Sequence, residues 1–578
     1  MKLIFTVLLL ISFFSTFAQV TFTDVAPAMG VDDIGNGQGV SSIDFDNDGF
    51  IDIFLVNNGQ PCRLFRNDLG IGFTDVASTL GVNNNGNGRG CAIGDFNNDG
   101  LTDIVIGNFS QSCILYWNDS TAFTNVTTAA GMNFTTWGGS INWFDYNNDS
   151  RLDCYIGNDG IPTHANYLFA NNDLSTFTEV AASVGLTDDL STLSTATADY
   201  DNDGDLDIFI GNQSGSPTGV LFQNNGGSFT DVSVSSGLET YSYTWGADWG
   251  DFDNDGDLDL YLANSNAGNQ CFVNNGDGTF TESAAFLGIA DPTSSFSCGW
   301  ADFDNDGDLD LYVANASSGV DKLYRNEGAT FTDVAASVGT NDTRHSNSTT
   351  WADFNNDGFL DLYLSNNGSE NRLYMSNAGN SNHWLELKLV GITVNRSAIG
   401  ARVRIVADGS SQIREVQGGS GHNGQNSLPV EFGLGAITTV DSIIVNWPGG
   451  PVDIHTNIAA DQIISVTEGQ PIVSVELSNF ATPVGYVLAQ NYPNPFNPST
   501  TIEYSLPERT DVKLSVINIV GEEVTELVNQ TMDAGNHRVE FNAANLPSGV
   551  YFYRLQAGNP STGSGQSFIT SKKMILLK

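Results

Sequence analysis

Basic residues are scarce in this sequence: Lys and Arg number 21 against 67 Asp and Glu, a formal net charge of -46 over 578 residues. A nucleic-acid backbone needs a basic face and an anionic membrane needs a basic patch, so neither is an expected partner. Cysteine is sparse too. Its six positions, Cys62, Cys91, Cys113, Cys154, Cys271 and Cys298, form no CxxC pair and no Cys/His zinc pattern, which argues against structural zinc. The six histidines, His164, His345, His383, His422, His455 and His537, are scattered without a ligand-like or triad-like grouping. No nucleophile-elbow sequence or phosphate-cradling loop stands out. Beyond the N-terminus no run of about 20 apolar residues exists to span a bilayer, so no transmembrane segment is expected in the mature chain. The length exceeds one core, and several domains are expected.

What is present begins with residues 1–18. Lys2, the mostly apolar Ile4 to Phe14, and Thr16-Phe17-Ala18 before Gln19 read as a removable secretory signal. A repeat then organises residues 22–377. An aspartate-rich loop starts at Asp44, Asp95, Asp145, Asp199, Asp251, Asp302 and Asp353, at spacings of 50 to 54 residues. Phe-Thr-Asp-Val-Ala or a close variant begins at Phe22, Phe73, Phe123, Phe177, Phe229, Phe280 and Phe331. Leu-aromatic-x-Asn recurs between them, as at Leu64 to Asn67 and Leu115 to Asn118. Each unit reads as four short strands separated by Asn/Gly turns. The strand after each loop is almost wholly apolar, as in Leu258, Leu260, Tyr261 and Leu262, so both its faces must be covered. That is the environment of a propeller blade between two neighbours. The series opens with a lone fourth strand at Phe22 and ends with a three-strand unit, Thr350 to Ser376. Residues 22–26 are therefore expected to complete the seventh blade and close the ring, which removes two sheet edges.

The loop pattern is Asp-aromatic-Asp/Asn-Asn-Asp-Gly-x-x-Asp. Calcium takes six to eight oxygens, and carboxylates at alternate loop positions suit it. Four copies are complete: Asp44, Asp46, Asp48 and Asp52; Asp199, Asp201, Asp203 and Asp207; Asp251, Asp253, Asp255 and Asp259; Asp302, Asp304, Asp306 and Asp310. Three carry Asn at the third position: Asp95, Asn97, Asp99 and Asp103; Asp145, Asn147, Asp149 and Asp153; Asp353, Asn355, Asp357 and Asp361. One charge fewer predicts weaker binding there. The third copy also replaces the turn glycine by Ser150 and adds Arg151, so it is the site expected to be empty. Where an EF-hand needs a bidentate Glu all seven have an aliphatic residue, as at Leu55 and Leu262. Asp-Asn-Gly runs also make ordinary turns, but four carboxylates converging on one spot repel one another without a cation. Up to seven structural calcium ions are expected. The equivalent placements of Cys62 and Cys91, and of Cys271 and Cys298, suggest two disulfides between adjacent blades.

On these residues the repeats resemble the FG-GAP or VCBS type of integrin α-chain propellers, which implies a ring with calcium in blade hairpins. Residues 383–469 resemble the ASPIC/UnbV domain of the cartilage acidic protein family. The resemblance rests on Asn395-Arg396, Ala398-Ile399-Gly400-Ala401-Arg402-Val403, Phe432-Gly433-Leu434-Gly435 and Val445-Asn446-Trp447-Pro448-Gly449-Gly450. It implies a small β domain and no defined chemistry. Residues 488–578 resemble the C-terminal sorting domain of the type IX secretion system, through Asn491 to Pro498, Val520-Gly521-Glu522-Glu523-Val524, Pro547 to Tyr551 and Lys572 to Lys578. That resemblance implies a β-sandwich handled by the type IX machinery, and export across an outer membrane.

The expected architecture is all-β. A signal peptide (1–18) precedes a seven-bladed propeller (19–380), a small β domain (381–469), a linker (470–487) and a C-terminal sandwich (488–578). The expected function is a secreted or surface-displayed calcium-binding module that binds a glycan or a protein, as in adhesion, and is not an enzyme. The alternative weighed against it is a polysaccharide lyase or hydrolase. Tyr241, Tyr243 and Phe296, on loops between strands, are candidate ligand contacts.

Overall fold

A computed structural model describes residues 19–472 and 486–577, apart from 161–164, 214, 216, 317–318, 489–490, 492–493, 495, 507–508, 520–521, 533–534, 544–545 and 558–567. The expected signal peptide and most of the expected linker lie outside these residues.

Asn/Gly turns between apolar runs fold each repeat into an antiparallel sheet, and seven such sheets form from residues 22–376. Their first strands, from Gly37–Ile43 through Gly88–Gly94 and Ile141–Phe144 to Ser346–Ala352, pack against one another in chain order. The last of them also packs against the first, so the ring is closed. The second strands, such as Asp259–Asn264 and Asp310–Asn315, are buried along their whole length, as expected for sheets covered on both faces. The closing strand is Phe22–Asp24, paired antiparallel with Arg372–Ser376 in the register Phe22 to Ser376. The Phe22 ring lies 5.9 Å from Phe303 and 6.2 Å from Trp351, which places it in the core between the sixth and seventh sheets.

Three features differ from the sequence expectation. One sheet has five strands, because Thr135–Trp137 pairs with the ten-residue strand Asp103–Ser112 of the sheet before it. Six fourth strands run into a single helical turn, as at Ala26–Met29 and Ala335–Val338. The acid of Phe-Thr-Asp/Glu starts that turn by accepting the N–H two residues on, as Asp24 does from Ala26. Finally, the suggested disulfides are not formed: all six cysteines are buried free thiols. Cys62 and Cys91 share one apolar cluster, and Cys271 and Cys298 another, so each pair acts as packing. The Cys91 Sγ is engaged by the Ser41 hydroxyl at 3.2 Å, and burial pushes both the Cys62 and Cys91 thiols up to about 12.

The small β domain has two sheets. His383–Val390 lies between Val430–Gly435 and Gln462–Thr467, the latter parallel to it. Ser410–Glu415, Arg402–Ala407, Thr439–Asn446 and Val452–Ala459 form the other. Its core, including Val403, Phe432 and Trp447, is continuous with Phe96 and Trp143 of the ring. The domain sits on the face of the ring that carries the aspartate loops. Lys388 Nζ donates to Gly49 O at 3.0 Å, the Arg396 N–H to Asn98 Oδ1 at 2.9 Å, and Arg402 donates to Asn202 and to the Asp199 carbonyl.

From this domain residues 417–427 run into the ring's centre, where they bond to the first strands of six of the seven sheets. The bonds include Trp143 N–H to Gly418 O (2.9 Å), Cys91 N–H to Asn423 O (3.1 Å), Gln425 N–H to Val40 O (3.1 Å) and Ser427 N–H to Trp351 O (3.2 Å). Ala247 and Gly421 exchange both backbone bonds, and the His422 N–H reaches Ser297 Oγ at 3.2 Å. The glycines of this plug are steric necessities. A Cβ on Gly418 would lie 1.9 Å from Trp143 O, and one on Gly424 2.4 Å from Val40 O.

The C-terminal unit is a second two-sheet β domain. Thr510–Asn518 is central in its larger sheet, and Leu514, Tyr553 and Ile502 lie in its core.

Candidate metal centres

Each aspartate loop links the first and second strands of a sheet, and one local geometry repeats seven times. The fourth-position asparagines, Asn47, Asn98, Asn148, Asn202, Asn254, Asn305 and Asn356, are all left-handed, with φ between 55° and 62°. Asn tolerates that region better than other residues with a Cβ. The sixth position is also left-handed. Gly49, Gly100, Gly204, Gly256, Gly307 and Gly358 accept this freely, while Ser150 holds it at φ 70°. Two consecutive bends wrap the loop around its first carboxylate. In the first copy Asp44 accepts N–H bonds from Asp48 and Gly49, both at 3.1 Å, and the same pair recurs around Asp251 and Asp302.

In the four complete copies this folding brings carboxylate oxygens of positions one, three and five within 4.8 Å of one another. The groups are Asp44, Asp46 and Asp48; Asp199, Asp201 and Asp203; Asp251, Asp253 and Asp255; and Asp302, Asp304 and Asp306. The ninth-position residues Asp52, Asp103, Asp153, Asp207, Asp259, Asp310 and Asp361 stand outside these groups. Each is buried and spans its hairpin. One oxygen accepts the N–H of the second-position aromatic residue; the other accepts the N–H that ends the third strand, as Asp52 does from Phe45 (3.1 Å) and Asn67 (2.6 Å). Sequence spacing did not reveal this second role. A carboxylate so bonded retains further lone pairs for a cation.

Burial first, and then repulsion from neighbouring acids, make Asp48, Asp251 and Asp306 reluctant to ionise without a partner. Burial with the Asp46 and Asp44 charges pushes Asp48 up to about 7, and burial with the Asp304 charge does the same to Asp306. Asp251 rises to about 7, although Arg414 opposes the rise. The donor set is all oxygen, which suits a hard divalent cation. Asp201 Oδ1 and Asp304 Oδ1 are buried without a hydrogen-bond partner, which is where a cation would bond. The complete loops therefore fit calcium, held by positions one, three and five.

The other three copies differ as their sequences foretell. Asn97 and Asn355 each turn an amide N–H toward Asp99 and Asp357, at 3.0 and 3.1 Å, neutralising locally what a cation would neutralise. In the third copy Arg151 pairs with Asp149 and donates to Asn171 O at 2.8 Å, so a guanidinium already partners the fifth-position carboxylate.

Two sets of asparagines stitch the ring, and no charge argument exposes them. Each fourth-position Asn reaches the next loop, from Asn47 to Gly100 O (2.9 Å) round to Asn356 and Gly49 O (3.2 Å). Each third-strand Asn reaches back to the preceding loop, as Asn118 does to Phe45 O and Asn326 to Phe252 O, both at 2.8 Å. The signal was present as the recurring Asn of Leu-aromatic-x-Asn. Of the candidate ligand contacts, Tyr241 and Tyr243 are exposed, while Phe296 lines a cup at the mouth of the ring's centre, opposite the aspartate loops. The fold also brings His345 and His422 together there, although they looked scattered in sequence.

Family comparisons accord with this geometry. The model for the FG-GAP-like repeat matches overlapping segments that run from residue 44 to residue 364, more than half of the chain. That for ASPIC and UnbV matches 391–473, and that for the secretion system C-terminal sorting domain matches 490–569. Cartilage acidic protein 1 of Homo sapiens is 28% identical over 290 residues, covering 45% of this chain and 41% of the relative. That of Xenopus tropicalis is 29% identical over 306 residues, covering 50% and 46%. The match thus spans less than half the length of these relatives. Among solved structures, BBS1N in complex with ARL6DN superposes with a TM-score of 0.41 at 9% identity, covering 61% of this chain and 96% of that one. The sorting domain marks the protein for export to the cell surface or outer membrane, and among the described residues no helix is long and apolar enough to cross a membrane.

Proposed function

Since the chain belongs to the FG-GAP-like repeat family, we propose that it is a calcium-stiffened binding module displayed outside the cell, with a glycan or a protein as its ligand. The observation that carries this reading is the gathering of three carboxylates within 4.8 Å in four equivalent loops, two of them with an unpartnered buried oxygen. Calcium there would tie the first hairpin of a sheet to the loop around it and fix the ring; it has no role in bond breaking. A rigid ring presents its loops for recognition at low ordering cost. Type IX export would place the module at the outer surface, where calcium is plentiful enough to fill weak sites.

The test is elemental analysis of the purified exported protein, followed by binding to glycan and protein arrays with and without a chelator. At least four calcium ions per chain, and ligand capture lost on chelation, are expected. A chain without divalent metal would overturn the calcium half. Release of oligosaccharide products would replace binding by catalysis.

A further inference from the structure

At the end of the ring's centre remote from the aspartate loops, the plug stops short of the surface and leaves a cup of about 270 Å³. That is the small end of the range for small-molecule sites, roughly 300 Å³ upward, and suits one ring rather than a polymer. Its floor is His422. The Trp245 carbonyl can only accept, so His422 Nδ1 carries the proton and donates to it at 2.7 Å. Nε2 then accepts from Asn423 Nδ2, also at 2.7 Å. Both ring nitrogens are used, and burial lowers the imidazole to about 3, so the floor is neutral and fixed.

One wall is aromatic. The Trp245 and Phe296 rings lie 4.5 Å apart at 39°, and His345 meets Phe296 at 5.0 Å. The same lining carries the amides of Gln38 and Asn347 and the guanidinium of Arg89. Among the described residues Arg89 is the only formally charged one of the lining, in a chain of net charge -46. Its nearest acid, Asp159, is 3.8 Å away and outside the lining, and its Nε is buried without a hydrogen-bond partner among the described residues. An aromatic platform, amides and a single guanidinium, itself paired with Asp159 and lying over the Phe109 ring at 5.1 Å, match one kind of ligand. A sugar ring lays its apolar face on the aromatic residues, its hydroxyls meet the amides, and a carboxylate meets the guanidinium.

We propose that this cup binds one acidic sugar residue, a hexuronate at the end of a glycan, with Arg89 holding the carboxylate and Trp245 the ring face. The inference deepens the binding reading above and rests on it. The test is calorimetric titration of the full calcium-loaded protein with D-galacturonate, D-glucuronate and D-galactose. Saturable binding of a uronate at least tenfold tighter than galactose is expected. Arg89→Met, which keeps the aliphatic stem, should remove that tenfold preference and leave galactose binding as it was. Trp245→Ala should weaken both sugars at least tenfold. Unchanged melting temperatures show that the variants fold; should Arg89→Met fail this check, Arg89→Gln supplies the same comparison, with the preference again lost. Equal affinity for uronate and galactose, indifference to both substitutions, or no saturable uronate binding would each overturn the proposal. If arrays still show calcium-dependent capture of other ligands, only the cup assignment falls; if they show none, the wider reading falls too.

Discussion

The two ends of the ring's centre are built from the same repeat yet have opposite chemistry. At one end the first, third, fifth and ninth positions of seven loops hold 25 of the chain's 67 acids, and the small β domain lays Lys388, Arg396, Arg402 and Arg414 against them. At the other end the same strands present amides, aromatic rings and one arginine, with no carboxylate in the lining. The periodic end repeats because each sheet needs the same hairpin, and its chemistry serves stability. The remote end is aperiodic: Gln38, Arg89, Trp245, Phe296 and Asn347 lie near the starts of five different first strands. Divergence among equivalent positions that the fold leaves free is where recognition can be written.

The largest effect that sharpens the contrast is metal removal. Four filled sites, each at about tenfold over its dissociation constant, stabilise the ring by roughly 1.4 kcal/mol apiece. A loss of that summed size shifts the melting temperature by about 7 °C in a domain this large. Calorimetry in calcium and in chelator should show this shift. Trp245→Ala in the cup should move the same transition by less than about 3 °C, since this half-buried indole belongs to none of the ring's apolar core clusters. Equal shifts for the two treatments would erase the division of labour between the ends.

A smaller effect is expected where the ends are joined. Gly418 admits no Cβ because Trp143 O is only 1.9 Å from where one would sit, so Gly418→Val must displace the plug or the strand. Overpacking of this kind costs about 1–3 kcal/mol, roughly 1–4 °C here. Since His422 on the same segment is the floor of the cup, uronate binding should fall with it. A variant that melts normally and binds normally would show that the plug is not seated against these strands.

The sequence makes the periodic end readable and hides the other. Strand order, ring closure by Phe22 and the four complete loops follow from spacing, because one physical demand recurs at a fixed interval. The asparagine stitches were visible as repeated letters, but their partners lie one sheet away, where no spacing argument reaches. The run Gly418-Gly419-Ser420-Gly421-His422-Asn423-Gly424 carries no strand or helix period, since its own bonds go to four separate strands, and Gln425 and Ser427 add two more. The cup joins residues as distant as Gln38 and His422, which only the closed ring brings together. The disulfide expectation failed for a related reason: equivalent placement implies proximity, which a shared core satisfies without a bond.

The smallest effect separates the loops from one another, and it tests whether the acids are there for cations or for turns. Asp251 and Asp149 are both loop carboxylates that accept backbone N–H bonds within their own loop. If the acids served only as turn formers, neither Asp251→Asn nor Asp149→Asn would change the calcium-dependent part of the stability, although Asp251→Asn gives up one of the two N–H bonds that its two oxygens accept. If cations bind the complete loops, Asp251→Asn weakens one site and lowers the calcium-dependent part of the stability by up to about 1.4 kcal/mol. Asp149→Asn acts where Arg151 already supplies the positive charge, so the calcium-dependent part should not change. The measurement is the difference in melting temperature with and without calcium for each variant. Its decisive outcome is the inequality between the two: the same carboxylate-to-amide change gives a calcium-linked response only where no arginine stands in for the ion.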